Sequence, residues 1–417
     1  MVIERWAWLV PLLLAGLLVA CTQGRDSTAT PATTSPITQP SSRPSPGGPT
    51  TTEVESGVQL FQRSPVLAEQ LYDYSNSLPD HFADVAKFDT ESVGNPTTDA
   101  GATLGRVLFY DVNLSSGRSL SCASCHLQSN SFTDRTIRSV GNSGLSTRRN
   151  SMSLANVAFS ENGRFFWDER AATLEEQAVQ PFGDAIELNL RPEEVTARVL
   201  SLPYYKPLVI EAFGPGSYSD EGVTIGRVGE ALAQFMRTMV SADAPYDRAR
   251  AQVASNLVDF PAFSERENLG RQLFFRPLAD GGGGCAGCHS TAAFLTPPTV
   301  EGNNGIDRSE DVPDLGVYEI TGDASQLASF RVASLRNIAV TGPYMHDGRF
   351  LRLADVIDHY NEDIGAHPNL SRRLRDDDGD PVRLGFSAEQ KEALLAFLET
   401  LTDEAFLRDE RFSDPFQ

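Results

Sequence analysis

Cys122-Ala-Ser-Cys125-His126 and Cys285-Ala-Gly-Cys288-His289 are two copies of one pattern, and together they use four of the five cysteines in the chain. Two thiols three residues apart reach one edge of a flat macrocycle, and a histidine directly after the second comes to lie beneath it. Cys-x-x-Cys-His is in this way the attachment sequence of a c-type haem, with the thiols added across the vinyl groups and the histidine on the iron. A redox dithiol needs no histidine in the fifth place, and a structural zinc would need the two distant pairs to share one ion. The pattern predicts two covalently bound haem c groups, on Cys122, Cys125 and His126 and on Cys285, Cys288 and His289.

The elements that hold these motifs are repeated with them. Leu104-Gly105-Arg106-Val107-Leu108-Phe109 precedes the first, and Leu269-Gly270-Arg271-Gln272-Leu273-Phe274 the second. Ser153-Leu154-Ala155-Asn156 pairs with Ser334-Leu335-Arg336-Asn337, and Trp167-Asp168-Glu169-Arg170 with His346-Asp347-Gly348-Arg349. A fixed order of matching segments predicts an internal duplication, each copy being one cytochrome c-like unit with its own haem. Apolar spacing predicts helices over 225–239, through Val228, Leu232, Phe235, Met236 and Met239, and over 387–401, with Ser387 as N-cap and Gln390 three residues on. No strand alternation is sustained, so the fold class is mainly α. The expected organisation is a signal peptide (1–21), a disordered Ser/Thr/Pro linker (22–56), an N-terminal haem c domain (57–248) and a C-terminal haem c domain (249–417). The ~360 residues beyond the linker are too many for a single core.

The N-terminus agrees with haem attachment in the bacterial periplasm. Its apolar run, Ala7 to Ala20, is short for a membrane span and closes on small residues. Leu18-Val19-Ala20-Cys21 resembles a lipoprotein cleavage box, which makes Cys21 a candidate lipid anchor to the cell envelope. A net charge of −21 argues against nucleic acid and anionic membrane surfaces as partners and mildly favours a basic redox partner.

What caps each iron decides between a carrier and a catalyst. Fourteen residues beyond Trp167 stands Pro181, and fourteen beyond His346 stands Tyr360. One of these can ligate iron and the other cannot, so the two haems are expected to differ in their work.

With these residues the chain, from about residue 60 onward, resembles the bacterial di-haem cytochrome c peroxidase family and, within it, the MauG-like branch. The resemblance rests on Cys122 to His126, Arg149-Asn150, Phe166-Trp167-Asp168, Gln177, Pro181, Glu187, Cys285 to His289, and Leu335-Arg336-Asn337 through Pro343-Tyr344-Met345-His346-Asp347-Gly348. It implies a peroxidatic first haem, a second haem that accepts or stores electrons, and Trp167 between them. It also implies a peroxide pocket lined by Gln177, Pro181 and Glu187, and a calcium ion held near Asn150, Thr341 and Pro343. Two departures point to the branch. Family members that need prior reduction carry a ligating histidine in a Ser-x-Gly-His stretch, which here reads Ser139-Val140-Gly141-Asn142. They carry methionine on the second haem where this chain has Tyr360, and a phenolate there favours high iron oxidation states.

Other residues compete for some of these roles. His359, beside Tyr360, is an alternative iron ligand; Met152, Met236, Met239 and Met345 read as packing; His81 and His367 read as surface; and the acidic run from Asp376 to Asp380 reads as a solvated loop. The function expected is reduction of hydrogen peroxide with electrons from a small cytochrome c or cupredoxin. Its rivals are MauG-like oxidation of a co-encoded partner protein and a non-catalytic di-haem electron carrier.

Overall fold

A computed structural model describes residues 64–91, 94–160, 162–295, 302–308 and 313–416. The expected signal peptide, Cys21 and linker lie outside these residues. Within them the structure is helical, and extended pairing is confined to isolated bridges such as Val140 with Ser146 and Tyr344 with Phe350. The first part carries α1 (Asp99–Tyr110), α2 (Cys122–Cys125), α3 (Leu174–Gly183), α4 (Pro192–Ser201), α5 (Tyr205–Phe213) and α6 (Ile225–Arg237). The rest carries α7 (Pro245–Arg250), α8 (Glu265–Phe275), α9 (Tyr318–Thr321), α10 (Leu353–Asp358) and α11 (Ala388–Glu399). No described helix is long and apolar enough to cross a membrane.

A close helix crossing recurs in each half. α1 starts at Thr98, whose hydroxyl accepts the Gly101 N–H at 3.0 Å, and packs on α6; α8 packs on α11. The glycine of each Leu-Gly-Arg copy sits at its crossing. A Cβ on Gly105 would collide with the Ala231 carbonyl and Phe235, and one on Gly270 with the Ala393 carbonyl and Phe397. Two helix backbones can approach this closely only where one side chain is absent.

The helix expected over 225–239 is α6, with Val228, Leu232, Phe235 and Met236 buried. α11 begins after Ser387, which exchanges hydrogen bonds with Gln390 (2.9 and 3.3 Å). One apolar cluster gathers α1 and α3 to α6, and a second, rich in aromatics, gathers Tyr246, Phe260, Phe274, Phe294 and Phe397. The end of the chain returns to the first cluster. Phe406 and Phe412 meet Phe132 edge-on at 5.8 and 6.2 Å, and the Tyr110 hydroxyl donates to the Phe412 carbonyl at 2.6 Å.

Two expectations are corrected here. His367 is buried and the His81 side chain is only 7% exposed, whereas both were expected on the surface. His81 Nε2 lies 2.8 Å from Asp247, and His367 Nδ1 lies 3.2 Å from Asn303. These partners stand 166 and 64 residues away along the chain, so local polarity carried no sign of burial. The acidic run is an exposed turn in which Asp376 accepts from the Asp378 and Asp380 N–H groups.

Candidate functional site

α2 presents Cys122 and Cys125 to a cavity of about 500 Å³, and His126 follows at its C-cap. His126 Nδ1 lies 2.7 Å from the Phe132 carbonyl. A carbonyl only accepts, so Nδ1 carries the hydrogen and Nε2 is left with a lone pair for a metal. Burial holds this imidazole below its ordinary pKa, which keeps it neutral as a ligand must be. The same burial pushes the Cys122 thiol up to about 12 and the Cys125 thiol to about 11. Thiols so resistant to ionisation do not suit a reactive dithiol. Among the described residues no three His, Cys, Asp or Glu side chains gather closely enough to hold a metal ion.

The same cavity is lined by Trp167, Gln177, Pro181 and Glu187, and Met152 and Met236 also reach its wall. Gln177 and Pro181 come from α3. Gln177 Oε1 is buried without a hydrogen-bond partner, an acceptor held ready inside the cavity. Glu187 sits just beyond α3 in a turn built by Asp184, whose carboxylate accepts the Ile186 and Glu187 N–H groups at 2.8 and 3.2 Å. Burial, reinforced by the Asp184 charge, pushes the Glu187 carboxyl up to about 7. The Ser139-Val140-Gly141-Asn142 stretch supports this turn, because the Asn142 N–H donates to the Glu187 carbonyl at 2.8 Å. The Asn142 side chain turns away to Ser116 and Gly117 and is not on the cavity wall, whereas Ser139 and Gly141 are.

The second cavity, of about 250 Å³, is lined by Cys285, Cys288, His289 and Tyr360. His289 Nδ1 lies 3.2 Å from the Phe294 carbonyl, and burial lowers its pKa to about 4. Tyr360 stands in a π-type turn (His359–Asp363) that continues α10, a local widening common at functional positions. Its hydroxyl accepts from Asn304 Nδ2 at 3.4 Å, and burial pushes it up to about 12. Met345 and His346 share this wall, but His359 does not. Its Nε2 lies 3.1 Å from the Asn304 carbonyl, which claims that nitrogen's hydrogen.

Trp167 lines both cavities. Its Nε1 donates to the Asn150 carbonyl at 2.9 Å, and its own carbonyl accepts the Arg331 N–H at 2.8 Å. Next to it, Asp168 pairs with the half-buried Arg149, which also grips Asp314 through two bonds of 2.8 Å. Burial opposes the Asp314 charge, yet Arg149 holds that carboxyl down to about 2. This ion-pair cluster fastens the tryptophan segment to the segment before α9.

Paired thiols and a back-bonded neutral imidazole on each wall fit a c-type haem in both cavities. The residues suggested for calcium supply hard oxygen donors. The Asn150 amide nitrogen is spent on the Thr136 and Ile137 carbonyls (3.0 and 3.2 Å), leaving its oxygen as the donor. The Thr341 hydroxyl donates to the Ile338 carbonyl (3.2 Å), which leaves its lone pairs, together with the backbone oxygens of Thr341 and Pro343, as donors. Two residues of consequence escape a sequence reading. Arg331 lines both cavities, and burial lowers its pKa to about 10. Asn304 touches Tyr360, Met345 and His359. Both lie in irregular chain, where spacing carries no signal.

These features define a two-haem c-type redox protein. The family described as di-haem cytochrome c peroxidase matches residues 99–255. The methylamine utilization protein MauG of Methylorubrum extorquens is 34% identical over 314 residues, covering 74% of this chain and 80% of the relative. The cytochrome c551 peroxidase of Nitrosomonas europaea is 32% identical, covering 72% and 79%. A crystal structure of a MauG-like protein associated with microbial copper homeostasis superposes with a TM-score of 0.68 at 32% identity, over 82% of this chain and 99% of that one. The di-haem peroxidase BthA of Burkholderia thailandensis, at 22% identity and a TM-score of 0.61, shares the fold. The chain belongs to the di-haem cytochrome c peroxidase family, and with it to the oxidoreductases that act on peroxide.

Proposed function

We propose that this protein reduces hydrogen peroxide at the first cavity with electrons delivered by a small periplasmic redox protein, a cytochrome c or cupredoxin. The observation that carries this reading is the gathering of Gln177, Pro181, Glu187 and Trp167 around His126. The haem there supplies the iron that binds peroxide and takes up its oxidising equivalents. Glu187, with a carboxyl near neutrality, takes the proton from the near oxygen of peroxide and returns it to the far one, so that water leaves. Gln177 Oε1 accepts a hydrogen bond from the substrate. Pro181 offers no ligand and, with Asn142 turned outward, keeps peroxide access to that face. Trp167 reaches both cavities and passes oxidising equivalents between them. Tyr360, on the wall of the second cavity, would cap a haem held there.

In this reading haem domains span 57–248 and 249–417, although Phe406 and Phe412 pack across that division. Calcium sits at Asn150, Thr341 and Pro343. The mature protein is periplasmic, lipid-anchored at Cys21. Tyr360 on the second cavity wall favours a second reading, MauG-like oxidation of a co-encoded partner protein. A non-catalytic carrier is disfavoured, because Pro181, on the first cavity wall, can donate no sixth ligand. The test is peroxide consumption with a reduced small cytochrome and, separately, with a co-encoded exported protein. Sustained turnover with the cytochrome supports the first reading; covalent change in the partner supports the second. No peroxide consumption with either overturns both.

A further inference from the structure

We propose that Asn304 selects the side chain that caps the second haem, holding Tyr360 in that place over Met345 and His359. This rests on the reading of Tyr360 as distal ligand. All three candidate ligands contact this one residue. Asn304 Nδ2 lies 3.4 Å from the Tyr360 hydroxyl and 3.5 Å from Met345 Sδ, and the Asn304 carbonyl lies 3.1 Å from His359 Nε2. The orientation of the amide is set by its other end, because Oδ1 accepts the Ile306 N–H at 3.3 Å. The nitrogen end therefore faces the cavity ligands.

The two halves of Asn304 act differently. Its carbonyl can only accept, so His359 Nε2 must carry the hydrogen and has no lone pair to give. His359 is also off the cavity wall and packed against Phe350 at 5.7 Å between ring centres. The amide nitrogen discriminates between the remaining pair. A hydrogen-bond donor strongly stabilises an oxygen that carries negative charge, whereas a thioether sulfur is a weak acceptor. Asn304 therefore weights the choice toward Tyr360. Met345 remains close by, on a backbone with φ of +74°, a conformation that non-glycine residues seldom adopt. It is a standby ligand. Loss of the donor should bring Met345 to the iron and leave His359 where it is, since the Asn304 carbonyl belongs to the backbone.

The experiment compares the ferric holo-protein with Asn304→Asp and Asn304→Ala, following the second haem by electron paramagnetic resonance and magnetic circular dichroism. Asn304→Asp keeps an acceptor for Ile306 and replaces the donor with a charge that repels an anionic oxygen. The phenolate signature of the wild type should give way to a thioether charge-transfer band. The ratio of the two forms should shift about tenfold or more, as loss of one charge-assisted hydrogen bond gives. Asn304→Ala should shift it in the same direction without added charge. Adding Met345→Leu to either should abolish the thioether band without producing a bis-histidine spectrum. An unchanged phenolate signature in both single variants overturns the proposal while leaving Tyr360 as ligand. Histidine ligation in a single variant, or loss of the second haem from both, also overturns it. A wild type with no phenolate signature overturns the Tyr360 reading itself, and the selector with it.

Discussion

Around His126 the chain places Pro181, the unpartnered amide oxygen of Gln177 and the half-buried carboxyl of Glu187; around His289 it places Tyr360, Met345 and Asn304. The attachment side is nearly the same in both, with two half-buried cysteines and an imidazole back-bonded to a loop carbonyl five or six residues on. The first wall carries a carboxyl near neutrality beside Pro181, which can donate no ligand, whereas the second carries the Tyr360 oxygen and the Met345 sulfur. On the proposed reading, one attachment scheme serves two tasks through the residues arranged around it. Beneath the haems there is a further contrast. Where the first half has Ala155, the second has Arg336, fully buried, paired with Asp247 and bonded to the Ala292 carbonyl beside the Phe294 loop.

The comparison breaks most completely if the motifs are not independent. Cys122→Ala with Cys125→Ala should leave one covalent haem on denaturing electrophoresis and abolish peroxide turnover. A protein that keeps two haems, or keeps its activity, would contradict the assignment of chemistry to the first cavity. Glu187→Gln should keep both haems and lower kcat/KM for peroxide by about 10²- to 10⁴-fold. The wild-type rate should fall as pH drops through about 7, because protonation removes the base that burial keeps near neutrality. Asp184→Asn removes a charge that raises this pKa and should move the acid limb to lower pH, as a pH–rate profile would record.

Next in size is stability. Arg336→Met leaves the buried Asp247 carboxylate with only His81 and the Ala244 N–H and should destabilise the second half by about 3–5 kcal/mol, measured by denaturant unfolding. At the matching position the first half carries Ala155, which has no ion pair to lose. The most selective change is Tyr360→Met, which should raise the reduction potential of the second haem in spectroelectrochemistry and leave the first unchanged. Equal shifts in both would erase the distinction between the cavities.

Much of this contrast is legible from spacing. The motifs place the thiols and imidazoles, equal intervals from Trp167 and His346 place Pro181 and Tyr360, and the paired glycines mark the helix crossings. Helical period and capping residues locate α6 and α11 because those signals are local. What sequence does not convey is long-range pairing in irregular chain. The burial of His81 by Asp247, the grip of Arg149 on Asp314, and the three contacts of Asn304 each join segments with no shared period. The support that Asn142 gives to Glu187 is also invisible in sequence, since it runs through backbone atoms that any residue supplies.

The central claim is that the first iron is accessible in the oxidised protein while the second is capped. Electron paramagnetic resonance of the ferric protein, followed by one equivalent of hydrogen peroxide without prior reduction, tests it directly. The account expects one high-spin and one six-coordinate haem, with peroxide consumed at once. Two low-spin haems, and reaction only after one-electron reduction, would contradict it.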